Sequence, residues 1–113
     1  MPTVAAQFTG RPPAVKATYA AILAAARSLG TVHEDPKKTS IHLNRKTAFA
    51  GIATRRASLI LTLKSSADVA SPRIRKRERV SANRWHLEVE VGAPSDVDRE
   101  LRRWLKRAYE LAG

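Results

Sequence analysis

The side chains most able to do chemistry in this sequence are arginines. In Arg73-Ile74-Arg75-Lys76-Arg77-Glu78-Arg79-Val80, four arginines occupy the odd positions. An extended strand sends alternate side chains to opposite faces, so regular alternation places Arg73, Arg75, Arg77 and Arg79 on one side. Each guanidinium can hold a phosphate or carboxylate through two parallel hydrogen bonds, and none loses its charge at cellular pH. Lys38 joins them as a candidate anion contact, and Arg99, Arg102, Arg103, Lys106 and Arg107 recur along one side of the last predicted helix. A plainer account fits the same residues: a charged edge strand resists edge-to-edge aggregation, and the helix cations are a solvated face.

A second constellation lies in Lys37-Lys38-Thr39-Ser40-Ile41-His42-Leu43, where alternation sets Lys38, Ser40 and His42 opposite Ile41 and Leu43. His86, on a later strand, faces the same way. Ser40, His42 and His86, with Lys38 and an arginine, therefore make a candidate site for a small anionic ligand on an open sheet face. Cross-strand pairing of polar side chains also accounts for them. The acidic and histidine residues show no recognised ligand spacing, so neither a metal nor a cofactor is expected. No nucleophile elbow, phosphate-cradling glycine loop or acid pair stands out, and no residue is assigned a catalytic role. Trp85 and Trp104 fall on apolar stripes and read as core anchors rather than platforms for bases.

These side chains need a scaffold, and the patterning supplies one. Val15, Tyr19, Ile22, Ala26 and Leu29 recur at spacings of three and four, which predicts a helix from about Pro12 to Leu29. Pro12 and Pro13 suit its first turn, Thr9 or Gly10 offers a cap, and Gly30 offers a left-handed stop. From Thr31 to Val91 the period changes to two. Strands are expected over Thr31–Asp35, Thr39–Leu43, Ala48–Ala53, Ser58–Leu63, Ile74–Val80 and Trp85–Val91, the last four as two hairpins. Pro94-Ser95 with Asp98 three residues beyond Ser95 forms a variant capping box, opening a helix whose stripe is Val97, Leu101, Trp104, Leu105, Ala108 and Leu111. The expected fold is α+β in two layers: an antiparallel sheet of five to six strands, with the N- and C-terminal helices packed on one face.

Length and composition bound the rest. A chain of 113 residues fits a single domain, residues 1–113, in which residues 1–8 read as a flexible lead-in. Its hydrophobic fraction of 43% and charged fraction of 27% are ordinary for a globular domain. The balance is not: 21 Lys and Arg face 10 Asp and Glu, a formal net charge of +11 that concentrates polyanions at the surface. The absence of cysteine excludes disulfides, thiolate metal sites and cysteine nucleophiles. No apolar run approaches a membrane span, so a cytoplasmic protein without membrane association is expected.

Five separated runs resemble one known family: Gly10-Arg11-Pro12, Pro36 through Leu43, Thr47-Ala48-Phe49-Ala50-Gly51, Ser71-Pro72-Arg73-Ile74 and Asn83-Arg84-Trp85-His86. Together they are similar to a small uncharacterised bacterial family, domain of unknown function 5655, from about Phe8 to Leu111. The resemblance implies a compact α+β domain found alone or joined to other domains, some of them nuclease-like, and brings no activity with it. Family members often carry a second histidine after the position of His86, where this chain has Leu87, which weighs against a paired-histidine site. The functional expectation is a non-enzymatic basic module that binds an anionic partner, nucleic acid foremost, as a monomer or homodimer. The alternatives are a small-molecule site or weak enzyme around His42 and His86, and a protein–protein interaction domain.

Overall fold

The fold is described for all residues, 1–113, in a computed structural model. Helix α1 spans Pro13–Arg27. Proline suits its first turn because amides there have no intrahelical partner. Its buried stripe is Val15, Thr18, Tyr19, Ile22, Ala25 and Ala26, and the small alanines let the helix lie close against its neighbours. The cap differs from expectation: Pro12 precedes the helix and no side chain caps it, because Thr9 and Gly10 belong to the preceding turn, where Gly10 has φ +75°. That turn follows a 3-10 segment, Ala5–Phe8, held by Gln7. The Gln7 side chain donates to the carbonyl of Lys37 at 2.9 Å, and its own carbonyl accepts from the Thr54 hydroxyl at 3.0 Å.

Six strands follow: β1 (His33–Pro36), β2 (Ile41–Asn44), β3 (Ala48–Thr54), β4 (Leu59–Ser65), β5 (Ile74–Ser81) and β6 (Arg84–Val91). They form one antiparallel sheet in the order β1-β2-β3-β4-β6-β5. Strand β6 thus inserts between β4 and β5, which leaves the arginine-rich β5 at one edge and β1, ending in Pro36, at the other. Charge and a missing amide donor blunt the two edges.

One face of the sheet carries the core. Across it Ile41, Ile52, Leu61, Val89 and Ile74 stand in one register row, each 5% exposed or less. Both helices cover this face, and the opposite face is left open. The two-layer α+β expectation holds, with six strands.

Helix α2 spans Arg99–Leu111 and begins later than the Ser95 capping box implied. Pro94–Asp96 is a separate 3-10 turn, in which the Asp96 carboxylate accepts from the amides of Gly92 and Ala93 at 3.0 and 3.2 Å. Asp98 is the cap of α2, accepting from the Leu101 amide at 3.0 Å. Both carboxylates satisfy amides that a helix start leaves without partners. The buried stripe includes Tyr109, absent from the expected list. Its ring meets Phe49 edge-on at 5.3 Å, and its hydroxyl donates to the Thr31 carbonyl. Gly30, beside Thr31, has φ +150°, outside the left-handed helical region but still a positive value that residues with a side chain rarely adopt, and a Cβ there would overlap the Tyr109 hydroxyl.

Candidate functional site

The arginine row is extended, as expected, but it is not one face. In β5 Ile74 pairs with Val89 and Lys76 with Glu88, so Arg75 is an extra residue, a β-bulge. A one-residue insertion sends every later side chain to the other face. Arg77 consequently pairs with Leu87 and Arg79 with Trp85, on the helix-covered side, while Lys76 and Glu78 take the open side. A second bulge falls at Val80.

The individual arginines have different surroundings. Arg73 sits just before β5. It bonds Asp98 at 2.9 Å, Glu100 at 3.2 Å and the Asp96 carbonyl at 2.8 Å, with its guanidinium 5.7 Å from the centre of the Trp104 ring. Arg77 bonds Asp68 at 2.7 Å and the Val69 carbonyl at 2.9 Å. Arg79 lies over the Trp85 ring at 5.8 Å and reaches the carbonyls of Ser81 and Ala82. Of the four, Arg75 alone is exposed with no carboxylate or carbonyl partner. Carboxylates therefore neutralise two of the row, while Arg79 lies over Trp85 and Arg75 stands unpaired at the bulge. Trp104 is 6% exposed, a core anchor as expected, whereas Trp85 is half-buried at the core margin.

The histidine constellation converges better. Ser40, His42 and His86 line one concavity of about 280 Å³ on the open face. Its floor is built from small residues of β3: Ala48, Gly51 and Ala53, with no side chain at all at Gly51. Gly51 stands between His42 and Thr62 in the sheet register, so the missing side chain leaves a dip between them. Lys64, paired across the strands with His86, forms the other wall. Its ammonium is 3.4 Å from the Thr47 hydroxyl and has no carboxylate partner, and no acidic residue lines the concavity. Glu78 stands outside it, its carboxylate 3.8 Å from Nδ1 of His86.

His42 and His86 are on β2 and β6, three strand spacings or about 14 Å apart. That is far beyond the ~3 Å over which two groups share a proton. The histidines stand on opposite sides of the concavity and are not placed as an acid–base pair. No three histidine, aspartate or glutamate side chains converge in a cluster able to hold a metal ion.

Lys38 is not in this concavity. Lys37–Ser40 is a tight turn closed by a 2.7 Å bond from the Lys37 amide to the Ser40 carbonyl, and β2 starts only at Ile41, so alternation does not extend back to Lys38. Lys38 lines a different groove, at the end of the sheet beneath the N-terminal turn, with Arg11 and Arg55. Sequence reasoning missed Gly51 and Thr62 as parts of the open-face site. A glycine inside a strand was the available signal, since it marks a bulge or a close approach.

A family model described as a domain of unknown function (DUF5655) matches residues 4–112. The chain belongs to the DUF5655 family. The match takes in both helices and all six strands, so the concavity lies wholly within DUF5655 residues, as does the groove at the sheet end apart from Met1 and Pro2. Comparison with curated proteins and with solved structures finds no match to this DUF5655 chain. No helix is long and apolar enough to cross a membrane.

Proposed function

We propose that this domain is a non-enzymatic binding module for an anionic partner, and that its open sheet face takes a small organic anion. The carrying observation is the concavity over Gly51, floored by small apolar residues and walled by His42, Lys64, Thr62 and His86 with no carboxylate among its lining residues. An apolar floor suits the body of such a ligand, and Lys64 with two imidazoles suits its charge. At about 280 Å³ the site is near the lower limit for small-molecule pockets, which favours a compact aromatic or branched carboxylate.

Benzoate is a suitable probe, titrated into ¹⁵N-labelled protein at constant ionic strength. Saturable shifts are expected at the amides of Gly51, Thr62 and Lys64. Lys64→Gln should weaken binding about tenfold through the lost charge-assisted contact. Gly51→Ala should weaken it by filling the floor while leaving the fold intact, because a Cβ there meets only His42 Cδ2, at an ordinary 3.8 Å. Shifts that do not saturate, or variants that bind as the parent does, overturn the assignment.

A second reading, nucleic acid, draws support from another surface. Arg99, Arg102, Arg103, Lys106 and Arg107 are all exposed on α2 and none is ion-paired. No large apolar residue is exposed on that helix; the exposed large hydrophobics are Met1 and Val80. A cationic face without such residues fits the sugar–phosphate backbone better than stacked bases.

A further inference from the structure

The groove at the end of the sheet carries an inference separate from the open-face site. Three elements meet there: the N-terminal 3-10 turn and the bend after it, the turn between β1 and β2, and the end of β3. Gln7 stitches the three together. Its side-chain amide donates to the carbonyls of Lys37 and Lys38 at 2.9 and 3.4 Å, and its backbone carbonyl accepts from the Thr54 hydroxyl. The walls are therefore tied across about 47 residues of sequence rather than being one flexible loop.

Into this groove, with a volume of about 730 Å³, project Arg11, Lys38 and Arg55, and no acidic side chain lines it. None of the three cations takes part in an ion pair; Arg55 makes only a weak 3.5 Å contact with the adjacent Thr54 carbonyl. Thr9 and Thr39 add hydroxyls at the same place. Arg11, Lys38 and Arg55 are like charges lining one groove, and an anion held among them would lower their mutual repulsion. A carboxylate needs one guanidinium. Two guanidiniums, an ammonium and hydroxyl donors match the several oxygens and double charge of a phosphate.

We infer that the groove bounded by Arg11, Lys38 and Arg55 is a binding site for a terminal phosphate or pyrophosphate group. Its volume leaves room for an organic part beyond the phosphate. This site is distinct from the open-face concavity: Ser40 lines the concavity and its neighbour Thr39 lines the groove.

The test is titration of ¹⁵N-labelled protein with pyrophosphate and, separately, with ADP, with ionic strength held constant by sodium chloride. Both should give saturable shifts at Arg11, Lys38, Thr39 and Arg55. ADP binding more tightly than pyrophosphate assigns the remaining volume to a nucleoside; equal affinities assign the site to the phosphates alone. Arg55→Gln and Lys38→Gln should each raise Kd about fivefold to tenfold. Gln7→Ala should raise it with every cation still present, because the stitch between the walls is lost. Lys64→Gln, on the open face, should leave pyrophosphate affinity unchanged, so the two sites stand or fall separately. Shifts no larger than those from chloride alone, or Arg55→Gln and Lys38→Gln both binding within twofold of the parent, overturn the inference.

Discussion

Arg73 and Arg75 are two positions apart and have unlike surroundings. Arg73 bridges the entry of β5 to the start of α2 through Asp98, Glu100 and the Asp96 carbonyl, and its side chain is only 25% exposed. Arg75 protrudes at the bulge and touches no acid. Arg73→Ala should therefore cost about 1–2 kcal/mol in urea unfolding, discounted for the exposure of its partners, while Arg75→Ala stays within about 0.5 kcal/mol. Equal effects would show that the bridge contributes nothing. Asp98 adds a pH dependence. The Leu101 amide, and then Arg73, hold its carboxyl below the usual carboxylate range. With the folded value below the unfolded one, the unfolded chain binds more protons between them. The stabilisation is complete above the ordinary value of about 3.9 and is lost as pH falls through the folded value. Asp98→Asn keeps a capping oxygen but no charge. Its deficit relative to the parent should be present at pH 6 and should shrink below about pH 4.

At the scale of elements, Gly30 shows how closely the layers approach. It links α1 to β1 with φ +150°, and its missing Cβ makes room for the Tyr109 hydroxyl of α2, which bonds the neighbouring Thr31 carbonyl. Gly30→Ala combines backbone strain with a steric overlap and should destabilise by about 2–4 kcal/mol, read as a lowered urea midpoint with unchanged m. A smaller loss in Gly30→Ala/Tyr109→Phe than in Gly30→Ala alone would locate the clash. The helices and strands were legible because period and spacing report a buried face: Leu59, Leu61 and Leu63 are each 1% exposed or less. The start of α2 was misplaced because Ser95 and Asp98 are both capping types, and only the intervening 3-10 turn decides between them. The bulge at Arg75 was invisible, since an inserted residue leaves no mark in composition yet reverses the facing of Arg77 and Arg79. For the same reason His42 and His86 were readable together, lying on strands where alternation is unbroken, with Ser40 at the closing pair of the turn, while Lys38 inside that turn was not.

For the whole molecule, the formal charge of +11 is unevenly answered. Carboxylates partner Arg73 and Arg77, and the cations of α2 stay free, on the helix layer and away from the open face. If five phosphates are neutralised there, affinity for a fluorescent 20-base-pair duplex should fall with a log–log salt slope near roughly −4.5. Arg102→Glu/Arg103→Glu should flatten that slope, and Arg75→Glu should scarcely change it. An absence of binding at low salt would discard the nucleic-acid reading. The strand order also bears on how the chain reaches this state. Strands β5 and β6 are neighbours in sequence and can zip together within microseconds, whereas the seam between β4 and β6 has to span β5 and both its connections. Loop-closure entropy makes that seam the expected slow step, so truncating Leu61, Leu63, Leu87 or Val89, which meet across it, should slow folding. If the Arg73 bridge forms after that seam, Arg73→Ala should speed unfolding and leave the folding rate unchanged, as read from the two limbs of a urea chevron.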